Sequence, residues 1–236
     1  MRHLIDLSRA ETVRRYVSAV KGLFTRETAV PVRQRKSATA GPTVLERHLT
    51  GNGHATAATP VDAFNAARRT FLRGERVDMG VLAADLGVSR ATLYRWVGDR
   101  DQLLGEVMWS VASIGLDQAR AEAAGDGVEW LLDIYWKFGD LIIAFDPVRR
   151  FVENEPECAL RVMTSKHSPH QKRVVEYWRD LLLEAERERG LVPKLDADTM
   201  AYVLIRIAES FLWSDLITGE PSDRAKAQEV ARALLT

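Results

Sequence analysis

The stretch VDMGVLAADLGVSRATLYRWVGDRDQLL, from Val77 to Leu104, limits what this chain can fold into more than any other. It reads as two short helices across a tight turn, followed by the start of a third. Asp78 can cap the first helix by accepting hydrogen bonds from its free N–H groups. Met79, Leu82, Ala83 and Leu86 then share one face at helical spacing. Gly87 supplies the left-handed backbone that other residues adopt only at a cost. Val88 plugs the corner, and Ser89 caps the second helix, which would bury Leu93 and Val97. Ala83 is small where the two helices must cross closely. This is the helix-turn-helix pattern, whose second helix can enter a DNA major groove.

The residues left outward on that second helix set what it could touch. Arg90, Thr92, Tyr94 and Arg95 offer two guanidinium forks, a hydroxyl with a methyl, and a phenol. Arginine pairs bidentately with guanine edges, and threonine bonds base edges or packs on the thymine methyl. With the capping Ser89 they form the expected DNA-contacting set. Gly98 ends the helix, and Asp99 with Gln102 makes a capping-box start for the next one. Arg100 at that helix start adds an expected phosphate contact, helped by the positive helix end.

The run LAADLGVSRATLYRWVGDRDQLL resembles the DNA-binding signature of TetR/AcrR-type bacterial transcriptional regulators. Leu82-Ala83, Gly87-Val88-Ser89, Leu93-Tyr94 and Asp99-Arg100-Asp101 occupy the places of that signature. The match is specific from Val61 to Trp109 and looser beyond. Trp96-Val97 stands where an aromatic pair is usual and Asp78 where threonine is common, and both keep the physical role. The resemblance implies a second, larger helical domain that binds a small effector and dimerises through two late helices. The run from Arg150 to Leu183 loosely resembles the QsdR-type branch of these regulators, associated with quorum-signal lactones, which implies a lactone-like or acyl-chain ligand.

Net charge is zero but unevenly spread: residues 1–59 carry +6, residues 60–109 are neutral and residues 110–236 carry −6. Affinity for DNA must therefore come from local placement of arginines, and the basic N-terminal segment can add non-specific phosphate attraction. The single cysteine, Cys158, cannot form an internal disulfide, so a reducing cytoplasm is expected. No apolar run approaches the ~18 residues a membrane span needs, so no stable membrane insertion is expected.

Residues 4–24 can form a basic amphipathic helix, with Leu4, Leu7, Val13, Tyr16, Val17, Val20 and Phe24 on one side. Residues 25–60 turn to Thr, Ala, Gly, Pro and Arg with little periodicity, so residues 1–59 are expected to be a partly disordered extension. A domain of 60–109 carries the helix-turn-helix, its first helix burying Phe64, Ala67 and Phe71. A long helix from Asp99 to about Ala124 then links it to a helical domain of 110–236 and can transmit movement between them. Helices are expected near 130–145, 147–154, 156–164, 169–189, 196–216 and from Pro221 on. No strand-like alternation occurs, and the expected class is all-α.

Ligand pockets are concave and mostly apolar with a few polar anchors. The pocket candidates are Trp109, Trp130, Ile134, Tyr135 and Phe138, together with Phe145, Phe151, Trp178 and Phe211. Arg149, Arg150, Glu209 and His167 are candidate anchors. At any single aromatic, core packing is the simpler reading; as a set they favour a small apolar or amphipathic effector. Cys158, His167 and His170 are too few and irregular for a zinc site, so no metal or other cofactor is expected. Phosphate-cradling glycine loops, nucleophile elbows and HExxH are missing, so no catalytic residues are assigned and no enzyme is expected.

These readings converge on a homodimeric, ligand-responsive repressor of an inverted-repeat operator. The alternative is an interaction protein: the same scaffold docking a partner or a membrane through its amphipathic N-terminus, for which the neutral module and long extension speak.

Overall fold

The computed structural model describes residues 11–20, 22, 58–221 and 223–236. Among them every regular element is a helix. In chain order these are α1 (Pro60–Leu72), α2 (Met79–Leu86), α3 (Arg90–Val97), α4 (Arg100–Ala121) and α5 (Gly127–Ala144). Then follow α6 (Asp146–Asn154), α7 (Pro156–Thr164), α8 (Pro169–Glu188), α9 (Ala197–Leu212), the single turn α10 (Ser214–Ile217) and α11 (Arg224–Leu235). No helix among the described residues is long and apolar enough to cross a membrane.

The local signals act where their residue types predict. Asp78 accepts from the N–H groups of Gly80 and Val81 at 2.7 and 2.9 Å. These bonds hold its carboxyl below the usual carboxylate range. Gly87 turns the chain at φ 68°, in the left-handed region open to glycine. Ser89 Oγ caps α3 on the Thr92 N–H at 3.0 Å, and Asp99 and Gln102 form the reciprocal capping box that starts α4. A second box, Thr59 with Asp62, starts α1 one residue earlier than the apolar pattern alone places it. Phe64 is half-buried, and Ala63 takes the core position beside Ala67 and Phe71.

Two apolar cores lie along α4. The first joins Phe71 of α1, Leu82 of α2 and Leu93 of α3 to Leu103 and Val107 of α4, and continues into Phe145, Phe151 and Val162. The second gathers Leu116 and Ala119 at the far end of α4 with Trp130 and Ile134 of α5, Trp178 and Leu181 of α8, and Met200 and Leu204 of α9. The rod expected from the sequence thus packs into both. Helices α1–α3 share their core with α6 and α7, so packing does not divide at residue 109.

Residues 11–20 are helical and packed. Tyr16 and Val20 are fully buried, the Tyr16 ring meets Phe145 edge-on at 5.2 Å, and its hydroxyl donates to the Val111 carbonyl at 3.1 Å. Gln118 donates to the Thr12 carbonyl at 2.9 Å, and Thr12 donates to Glu122 at 3.0 Å. Gly115 makes room: a β-carbon there would lie 3.2 Å from the Tyr16 ring. The helix expected in this part of the extension is present over residues 11–20, and its apolar stripe lies in a groove on α4. The expected helical flanks at 4–10 and 23–24 and the linker at 25–57 lie outside the described residues.

The helix expected at 196–216 is interrupted. Trp213 leaves helical geometry at φ −110° and ψ 20°, and α10 restarts at Ser214. Periodicity could not reveal this, since the apolar spacing continues through the break.

Candidate DNA interface and effector cavity

On the solvent side of the first core, α3 presents a short polar face. Ser89, Arg90, Tyr94 and Arg95 are exposed, with Tyr94 at 47% despite its ring. Thr92 is half-buried, and its hydroxyl lies 2.9 Å from Ser89 Oγ, so these two side chains are engaged in holding the helix start. The Arg90 guanidinium lies over the start of α2, where a β-carbon on Gly80 would come within 2.3 Å of it. A glycine there lets the arginine cross. Arg95 and Tyr94 stand clear of such contacts.

Arg100 corrects the sequence reading. Its Nε donates to the Val77 carbonyl at 2.6 Å, Nη2 to Glu155 at 2.7 Å, and Nη1 meets Cys158 Sγ at 3.2 Å. The side chain is 19% exposed and turned inward, so it is not placed for the expected phosphate contact. Cys158 donates in turn to Asp101 at 3.3 Å, and Arg161 closes on Asp101 at 2.9 Å. Burial pushes the Cys158 thiol up to about 11, which keeps it protonated as a donor. The cluster fastens the first turn of α4 to the α6–α7 corner. A position-by-position reading placed Arg100 on DNA because helix starts attract phosphates; the partner that claimed it, Glu155, lies 55 residues away.

Where the two cores meet, a cavity of about 110 Å³ opens between α5, α8 and α9. Of the nine aromatic and aliphatic candidates, Tyr135, Phe138, Trp178 and Phe211 line it. The other five are used elsewhere. Trp109 packs edge-on against Tyr177 at 6.4 Å. Trp130 lies under the Arg189 guanidinium at 4.0 Å, and Ile134 is buried in the core around it. Phe145 meets Tyr16, and Phe151 meets Phe71 of α1 at 5.6 Å. A stripe of aromatics fixes which helix face is buried but not against what, so these could not be told apart by spacing.

Of the candidate anchors, Glu209 lines the cavity. Arg149 and Arg150 instead pair on the surface of α6 with Asp146. His167 is exposed and borders a cleft against Phe64 and Trp96. Residues that the sequence did not single out complete the wall, notably Trp136, Ile142, Gln171 and Ile205, with His170, which had been weighed only as a metal ligand. Burial pushes Glu209 up to about 7, against the pull of Arg206 at 3.1 Å, and lowers His170 to about 4. Both are therefore shifted toward their neutral forms. No cluster of three potential metal ligands occurs among the described residues.

Comparisons with known proteins agree with this geometry. Residues 126–236 match the family described as Tetracyclin repressor-like, C-terminal domain. Among solved structures, the chain is similar to the R. erythropolis transcriptional repressor QsdR from the TetR family, with 28% identity and a TM-score of 0.71. That match covers 75% of this chain and 93% of the other. No curated protein matches the sequence.

Proposed function

Since the chain is a TetR-type transcriptional regulator, we propose that it is a homodimeric repressor that leaves its operator when an effector fills the α5–α8–α9 cavity. The observation that carries this is one rod serving two sites. The start of α4 underlies the polar face of α3, while Met108, further along it, reaches the cavity wall. An effector that binds two positions of that rod unequally shifts the recognition helix, and only such an effector can.

Arg95 and Tyr94, with Arg90 once it lifts from Gly80, read or clamp the major groove; Ser89 and Thr92 hold the helix start that aims them. One such helix reads few base pairs, so two copies would address half-sites about one DNA turn apart. Helices α8 and α9 are the proposed pairing surface. Tyr202 is 54% exposed, and Val175, Leu183, Val203 and Ile207 are half-buried on the same helix pair. Two helices from each copy would complete a four-helix bundle. Against the interaction-protein reading stands the packing of Tyr16 and Val20, which are buried rather than open to a partner.

Footprinting on the DNA directly upstream of its own gene tests the reading. Two protected half-sites related by a two-fold axis are expected. Uniform protection that ignores sequence, from folded dimeric protein, contradicts it.

A further inference from the structure

A second cleft, sharing no lining residue with the α5–α8–α9 cavity, lies where the helix-turn-helix meets the turn between α7 and α8. Its volume of about 660 Å³ falls within the ~300–1,000 Å³ of sites that hold drug-sized ligands. Phe64 of α1, Trp96 of α3 and Leu103 of α4 give it an apolar side. Phe64 and Trp96 are half-buried, so packing leaves part of each ring uncovered. Such rings take a flat aromatic neighbour well, offset or edge-on.

The other side is basic. Lys166 and His167 in the turn and Lys172 in the first turn of α8 line it, and all three are exposed. Lys166 has no ion-pair partner among the described residues, and Lys172 reaches Glu176 only at 3.8 Å. The one acid among the described lining residues, Glu106, is already held by two hydrogen bonds from Arg173. Ser168 and Pro169 bring the positive end of α8 to the same wall, and the Ser168 side chain does not cap it. Positive charge is therefore in surplus beside two aromatic rings.

That pairing decides between occupants. The chain leading into Pro60 is itself basic, with residues 1–59 at +6, so its charge opposes these lysines. A DNA phosphate matches the charge, but duplex bases are stacked inside the helix and offer no ring to Phe64 and Trp96. We propose that this cleft binds a small aromatic anion of the aryl carboxylate class, its ring packed on Phe64 and Trp96 and its charge met by Lys166 and Lys172. The site stands apart from the effector cavity. Trp96 follows Arg95 on α3, so an occupant touches the proposed reading helix directly rather than through α4.

Three probes that share one ring system test it: 2-naphthoate, methyl 2-naphthoate and 2-naphthylmethylammonium, titrated calorimetrically into the full-length protein at neutral pH. Naphthoate should bind at least about tenfold more tightly than the ester or the ammonium, and high salt should narrow that gap. Lys166→Gln combined with Lys172→Gln should weaken naphthoate about tenfold while leaving the ester within about twofold. Both lysines are exposed, so their loss leaves the fold intact. Trp96→Leu should weaken naphthoate and ester alike. Ester or ammonium binding as tightly as naphthoate overturns the proposal. So does naphthoate binding that the lysine variant leaves unchanged, which would place the probe elsewhere. Binding by none of the three overturns it too, and a loss of DNA affinity in the lysine variant would then assign these side chains to the phosphate backbone.

Discussion

At Arg100 the three inward contacts make a prediction that differs from the phosphate reading. Arg100→Ala should lower stability by about 2 kcal/mol in urea unfolding, because it strips Glu155 of a charged hydrogen bond in a mostly buried corner. The salt dependence of DNA binding should stay unchanged. Arg95→Ala should do the reverse, leaving stability within about 0.5 kcal/mol of wild type and reducing the salt slope by about one. The cavity acids and bases give a second residue-level test. Glu209 carries its proton to a higher pH folded than unfolded, so its contribution is full below its unfolded value of 4.5 and is lost as pH rises through about 7. His170 is held near 4 against an ordinary 6.5, so its contribution is present above 6.5 and lost as pH falls toward 4. The two slopes oppose each other between about 4.5 and 6.5. Glu209→Gln should therefore stabilise the protein at pH 8 relative to wild type and lose that advantage at pH 4.5, as thermal melts at both values would show. These residue-scale outcomes also mark what sequence could say. Asp78, Gly87, Ser89 and the Asp99–Gln102 box were legible because each bond is made within about three residues along the chain. Arg100, Trp130 and Phe151 were not, because Glu155, Arg189 and Phe71 reach them through the fold.

Elements behave by the same rule. The helices of the DNA module follow from their caps and apolar faces, with α1 shifted only by the Thr59 box. The N-terminal segment was legible as an amphipathic helix, but not as a docked one, since its groove on α4 exists only once Gly115 stands opposite Tyr16. Tyr16→Ala should cost about 3 kcal/mol, for a lost buried ring, and also free the Val111 carbonyl of its partner. The urea midpoint checks this, and an unchanged midpoint would mean that the segment contributes nothing to the folded state. The break at Trp213 was illegible for a different reason. An apolar stripe continues through it, and Trp213 at the break lines the cavity.

Across the whole molecule, α4 joins the parts: α3 packs at its start, the Arg100–Glu155 corner lies beside that start, Met108 reaches the cavity wall, and the N-terminal segment packs along its second half. The proposed coupling between cavity and DNA is assigned to this helix. The pairing surface is the remaining large-scale claim. Tyr202→Arg with Ile207→Glu should yield a monomer by light scattering while the fold persists by circular dichroism, and that monomer should bind DNA at least tenfold more weakly. The most direct test of the account is fluorescence anisotropy of the wild-type protein on its own upstream DNA and on unrelated DNA across a salt series. The account predicts binding to the upstream DNA with a steep salt slope, and binding to unrelated DNA at least about tenfold weaker. Binding that is equally tight to unrelated DNA at every salt concentration would contradict it.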